Sequence, residues 1–316
     1  MTRTILFIPI LAFAIAFTPI LSADINNDKS TVFSRVENPS IPQSMNFAGQ
    51  KINFDRTDMY DRLDRELTAM SYTHGNTLLI IKRANRYFPI LSPILKQNGI
   101  PSDMIYLACI ESTLNIRAYS PAKAAGLWQF IATTAKRYGL EVNDYVDERY
   151  HIEKSTIAAC KYFHDAYEKY GNWESVAASY NGGMARISKE LEAQNVQSAY
   201  DLHLVDETSR YIYRLLAMKI IMENPGQYGY RLTSDQLYQP IATTEIKINQ
   251  PISDWPTWAK NHGITYMQLR EFNPWIRAKK LPNKTGKTYT IKIPVKNELY
   301  RSSQTKECYN PNWVID

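Results

Sequence analysis

From Asp58 to about Tyr230 the apolar residues recur at helical spacing with only short breaks, and this pattern dictates the fold class: a compact, mainly α unit. The pattern predicts helices over 58–70, 76–85, 87–97, 102–114, 133–139, 155–170, 173–180, 187–193 and 208–223. Asn98-Gly99 and Tyr170-Gly171 act as stops, and Pro101 and Ser155 as starts. After Asn224-Pro225-Gly226 the period changes. Residues 243–248 and 288–293 alternate like strands, with two short helical patterns between them, over 253–261 and 265–272. The expected organisation is therefore a helical domain over 57–235 followed by a small strand–helix–helix–strand module over 241–296. Residues 24–56, rich in Asn, Ser, Asp and Pro, read as a linker or extended arm, and 297–316 as a polar tail.

The first segment carries a separate message. Arg3 precedes an acid-free apolar run from Ile5 to Leu21 that contains Pro9 and Pro19 and ends in Leu21-Ser22-Ala23-Asp24. The run is short for a membrane span and ends in small residues, so residues 1–23 read as a cleaved signal peptide. Asp24 stands where a lipoprotein would need Cys. The expectation is a periplasmic protein that is not a lipoprotein and keeps no stable membrane span after signal removal. A formal charge of +6, from 37 Lys+Arg against 31 Asp+Glu, is spread without a basic block and makes no case for nucleic acid. It suits an anionic polymer such as a cell wall.

Cys109, Cys160 and Cys308 have no metal-type spacing, and the five His are scattered. Neither a His-Glu-x-x-His run nor a Gly-x-Ser-x-Gly turn occurs, so no Cys/His nucleophile stands out, and no metal or other cofactor is expected. Cys109 and Cys160 fall in apolar patterns that suit buried thiols, and their spacing leaves a bridge between them open.

The informative helix is the one over 102–114. Met104 to Ile110 is apolar or weakly polar on every face, and Glu111 then shares a stripe with Met104, Leu107, Ala108 and Leu114. A carboxyl on a buried stripe is pushed toward the protonated form, as a general acid requires. A Glu that snorkels at a helix end or pairs with Arg117 would fit the same position. Downstream, Ser120-Pro121-Ala122-Lys123-Ala124-Ala125-Gly126-Leu127-Trp128-Gln129-Phe130 combines small residues with a flat apolar side chain beside an amide. Tyr180-Asn181-Gly182-Gly183 then places a phenol and an amide at a helix end. Singly, these are an ordinary loop and an ordinary helix stop.

Taken in order, Glu111-Ser112, the 120–130 block, Tyr180-Asn181-x-Gly and Glu207-Thr208-x-x-Tyr211 resemble the goose-lysozyme-like lytic transglycosylases. The flanks Asp147-Glu148-Arg149, Ser155-Thr156-x-Ala158-Ala159 and Tyr170-Gly171-Asn172-Trp173 are similar to the membrane-bound lytic murein transglycosylase D subfamily. The resemblance covers about residues 57 to 230. It implies a lysozyme-like all-helical catalytic domain that cleaves the β-1,4 bond between N-acetylmuramic acid and N-acetylglucosamine in peptidoglycan. Glu111 would be the single general acid/base and a 1,6-anhydromuramic end the product. Ser120, Gln129, Tyr180, Asn181 and Tyr211 would contact substrate or orient the acid, and the partners would be peptidoglycan glycan strands. The sequence departs from the family pattern at Lys123-Ala124, which would put a basic side chain at the cleft mouth. Residues 243–294 resemble a LysM-like repeat without its usual opening, which leaves sugar binding and simple packing both open. Two other readings remain: a hydrolytic muramidase pairing Glu111 with Asp144, Asp147 or Glu207, and a non-catalytic wall-binding protein.

Overall fold

The computed structural model describes residues 37–316, so the expected signal peptide lies outside the described residues. The first element among the described residues is a hairpin, β1 (Ser44–Phe47) and β2 (Gln50–Asn53), paired from Ser44 against Asn53 to Phe47 against Gln50. Ala48 and Gly49 turn it at φ 51° and 86°, the two positive values that a tight two-residue hairpin turn demands. Phe47 and Ile52 point into the core, and the Ala48 amide donates to the Asp103 carboxylate at 2.7 Å. The expected arm is thus in part a folded element. Its pattern is only four residues per strand, too short for periodicity to stand out among polar neighbours.

Eight helices follow: α1 (Thr57–Tyr72), α2 (His74–Gln97), α3 (Ile105–Ser112), α4 (Ala132–Arg137), α5 (Ile152–Tyr170), α6 (Trp173–Gly182), α7 (Met184–Ala193) and α8 (Asp206–Glu223). The patterns over 76–85 and 87–97 belong to one helix, α2, which runs through Pro89 and Pro93. Helix α8 is the axis. It packs against α1, α3 and α6, and nearly every residue from Tyr211 to Met222 is buried. Among the described residues no helix is long and apolar enough to cross a membrane. Cys109 and Cys160 are both free and buried.

The second body joins β3 (Thr243–Ile248) and β4 (Tyr289–Pro294) as an antiparallel pair around α9 (Trp255–Asn261) and α10 (Tyr266–Phe272), as its pattern predicts. Its core is not private. Trp255, Trp275, Tyr289 and Ile291 cluster with Ala125, Val146 and Tyr150 of the helical body. The backbones join at Asp147 N to Trp275 O and Arg277 N to Tyr145 O, both 2.9 Å, and the Lys292–Glu153 and Lys287–Glu141 pairs flank the seam. The tail also departs from expectation. It returns to the helical body, where Trp313 is buried against Phe88 and donates to Met222 O at 2.7 Å, and Ile315 N donates to Leu232 O. One large aromatic outweighs the polar composition around it.

The loop over 115–131 is fixed from beneath by Arg149. Its guanidinium is buried, pairs with Asp147 at 2.7 Å, and donates to Lys123 O at 2.8 Å and Phe130 O at 3.0 Å. Burial works against its charge, but Asp147 more than offsets this and holds the Arg149 pKa above its usual value. Gly126 passes over it at φ 79°, and a Cβ there would lie 1.9 Å from Arg149 O. Two stability predictions follow, each read by chemical denaturation. Gly126→Ala should cost more than about 2 kcal/mol through strain and backbone collision. Trp313→Ala should cost about 3 kcal/mol, as a core aromatic does, whereas a solvated tail would tolerate the change.

Candidate active site

Glu111 sits in the last turn of α3, and the chain then reverses through Thr113 and Leu114, both left-handed at φ 51° and 54°. Two left-handed non-glycine residues in succession are costly, and they mark a position held by its surroundings. Arg83 helps to hold it, donating to Thr113 O at 2.9 Å. Behind the carboxyl, Met104, Leu107, Ala108 and Leu114 are each fully buried, so the stripe expected from spacing is present. Tyr211, from the second turn of α8, donates its hydroxyl to Glu111 Oε1 at 2.5 Å. Oε2 has no hydrogen-bond partner among the described residues.

Desolvation dominates the electrostatics of this carboxyl. It pushes the Glu111 pKa up to about 7, against the Tyr211 hydrogen bond and the Arg214 guanidinium, which favour the charged form. Burial, with Glu111 adding to it, also holds the Tyr180 and Tyr211 phenols well above their ordinary range, so both are neutral donors.

Glu111 opens onto a cleft of about 700 Å³ whose lining includes Ser120, Gln129, Tyr180 and Asn181. Four of the six sequence-chosen side chains therefore meet Glu111 in one cleft, and Tyr211 reaches it from behind. Their roles differ. Ser120 accepts the Ala124 amide at 3.1 Å, fixing the loop. Gln129, left-handed at φ 46°, turns its amide nitrogen onto Gly126 O at 2.8 Å. Tyr180 donates to Trp128 O at 2.6 Å, clamping α6 to the loop with its ring toward the cleft. Asn181 is exposed, and its side chain has no hydrogen-bond partner among the described residues.

Two sequence expectations change. Trp128 offers no face to a ligand; it is fully buried and donates its indole N–H to Thr156 Oγ1 at 2.9 Å. Lys123 is exposed and absent from the cleft lining, and its carbonyl accepts from Arg149. The basic residue lining the cleft is Arg137, near the C-terminal end of α4, which spacing alone did not single out. Among the described residues lining the cleft, Glu111 is the sole carboxylate. The other candidates are engaged elsewhere or solvent-exposed. Asp147 is locked to Arg149, and Glu207 pairs with Arg214 at 2.8 Å, which holds its pKa below the ordinary value. Asp144 is exposed and absent from the lining.

Comparison with known proteins gives two domain matches and a homologue. The "Transglycosylase SLT domain" matches residues 89–202, and the "Soluble lytic transglycosylase C-terminal LysM-like domain" matches residues 244–297. The membrane-bound lytic murein transglycosylase D of Escherichia coli (strain K12) is 28% identical over 242 residues, 75% of this chain and 52% of that protein. The chain thus spans about half the length of the curated relative it matches. Among solved structures, an inactive mutant of the lytic transglycosylase Slt from Pseudomonas aeruginosa aligns over 43% of this chain and 24% of its own, at 20% identity and TM-score 0.34. The 70 kDa soluble lytic transglycosylase of Escherichia coli aligns over 51% and 30%, at 19% identity and TM-score 0.37. The chain is built from a transglycosylase SLT domain followed by a LysM-like domain of the soluble lytic transglycosylase type, and it is homologous to the membrane-bound lytic murein transglycosylase D of Escherichia coli.

Proposed function

We propose that this protein is a periplasmic lytic transglycosylase, cleaving peptidoglycan between N-acetylmuramic acid and N-acetylglucosamine with Glu111 as its one acid/base. The observation that carries this reading is a single desolvated carboxyl in a cleft with no second carboxylate among its described lining residues. Glycoside hydrolysis ordinarily uses two: one protonates the leaving oxygen, and the other attacks or activates water. With one, the same group must act twice. Glu111, in its protonated form, gives its proton to the glycosidic oxygen as the C1–O bond breaks, and N-acetylglucosamine leaves with a free hydroxyl. The resulting carboxylate takes the proton of the muramic C6 hydroxyl as that oxygen bonds to C1, which closes a 1,6-anhydro ring and restores Glu111. The nucleophile belongs to the substrate, so ring closure is intramolecular and no water need be activated.

Tyr211 suits this cycle. Its hydrogen bond to Oε1 orients the carboxyl and leaves Oε2 free to carry the travelling proton. Ser120 and Gln129, fixed by the loop, and the unengaged Asn181 amide would position the sugar. Secretion fits the expected signal at residues 1–23 and a substrate outside the cytoplasmic membrane.

The test is digestion of purified sacculi followed by mass spectrometry of the new ends. Anhydromuramic ends are expected; reducing muramic ends, heavier by one water, would replace this reading with hydrolysis. Glu111→Gln should lower the rate by at least about a hundredfold, while Glu207→Gln and Asp144→Asn should do far less. Full activity in Glu111→Gln would remove the site assignment. The pH profile gives a further check. Because Glu111 must begin protonated, kcat/KM should fall as pH rises through about 7. Tyr211→Phe removes a bond that favours the charged form, so it should move that limb upward in pH while lowering the maximal rate. An unmoved limb would show that another group sets it.

A further inference from the structure

The loop that walls the cleft has a second face. Residues 119 and 120 are consecutive in a short extended stretch bridged to Ala125, so their side chains point to opposite sides. Ser120 faces the cleft, and Tyr119 faces a groove of about 760 Å³ between the helical body and the LysM-like body. Tyr119, 59% exposed, Tyr150 and Arg117 line it from one side, and Tyr266, Arg270 and Arg277 from the other.

Its charge is unbalanced. Arg149, at its base, is neutralised by Asp147, and Arg117 by Glu271 at 2.6 Å. Arg270 and Arg277 have no carboxylate in salt-bridge range among the described residues. They are nevertheless held. Arg270 donates to the Tyr266 hydroxyl at 2.9 Å with its Nε unpartnered, and Arg277 lies 4.4 Å from the centre of the Tyr150 ring. Two guanidinium groups ordered by aromatic rings in one groove repel each other, and a carboxylate, with its forked geometry, relieves this.

We propose that this groove binds the carboxylates of the short peptide carried by muramic acid, so that peptide-bearing strands are preferred over bare glycan. The proposal rests on the cleft being the glycan site. The groove lies one loop strand away from it, so a peptide leaving a sugar beside Ser120 can cross to Tyr119 and the arginines. Charge complementarity favours a stem peptide with several carboxylates over stripped glycan, which keeps only the one lactyl carboxylate of each muramic residue, and the rings supply apolar contact for the peptide's other side chains.

The test uses the full chain as Glu111→Gln, which does not turn its ligand over, with two calorimetric probes at low salt. One is a glycan oligomer bearing tetrapeptide stems, and the other is the same oligomer stripped of peptide. Peptide-bearing oligomers should bind at least about tenfold more tightly, as added charge-assisted contacts provide. Adding Arg270→Gln and Arg277→Gln should reduce the difference to about twofold or less. Amidating the stem carboxylates should do the same to the parent groove, which keeps the proposal testable if the double variant fails to fold. A preference that survives both changes, or no preference at all, overturns the proposal while leaving the cleft assignment intact. If neither oligomer binds, the reading of the cleft fails instead. Titration of the free tetrapeptide, with and without the two arginines, then decides the groove alone.

Discussion

The buried guanidinium of Arg149 is the constraint around which both candidate binding surfaces are built. It is compensated by Asp147 and by two loop carbonyls, and the Asp147 amide in turn donates to Trp275 of the LysM-like body. One side chain therefore shapes the cleft wall through Phe130 and Lys123, and supports the strand that joins the two bodies. Such a pair need not add to stability compared with apolar packing, but loss of either partner leaves a buried charge that costs about 3–5 kcal/mol. Its value lies in geometry: it holds the loop that carries Ser120 and Gln129 through the Lys123 and Phe130 carbonyls, while the Arg149 backbone carbonyl leaves no room for a Cβ at position 126.

Across the cleft, the electrostatic problem is solved the opposite way. Among the described residues Glu111 has no cation in salt-bridge range, and burial disfavours its charge more than Arg214 and Tyr211 favour it. The folded state therefore keeps a proton that the unfolded chain releases near pH 4.5, until pH passes about 7. Below pH 4.5 the group is neutral in both states and its burial carries no ionisation penalty. As pH rises from about 4.5 to about 7 the penalty grows and stability falls, and above about 7 both states are ionised and the penalty stays constant. A carboxyl kept at such a cost suits a group that must hold and release a proton near neutrality.

Much of this was legible in the sequence. The helices over 155–170 and 208–223 and both strands of the second body follow from periodicity, because each is long or alternating enough to bury one face. Glu111 could be singled out because its stripe is otherwise apolar. What could not be read depends on contacts distant in sequence or on single residues. Trp128 is adjacent to Gln129 yet is turned inward by Thr156. The hairpin at 44–53 and the tail at Trp313 each depend on one or two aromatic anchors, which leave no period. Arg137 enters the cleft lining from a six-residue helix whose direction depends on its tertiary packing. Tyr211 differs again: the motif placed it near the site, and only the approach of α8 to α3 shows that it touches the acid.

The central claim is that burial raises the Glu111 pKa to about 7, so that a protonated carboxyl is available near neutral pH. It is tested most directly by carbon NMR titration of the Glu111 side-chain carboxyl in the full chain, with the signal assigned by its absence in Glu111→Gln. The account predicts a midpoint near 7, moving upward when Tyr211 is replaced by Phe. A midpoint near the ordinary 4.5 would mean that Glu111 is ionised at neutral pH, and the one-carboxylate reading would be contradicted.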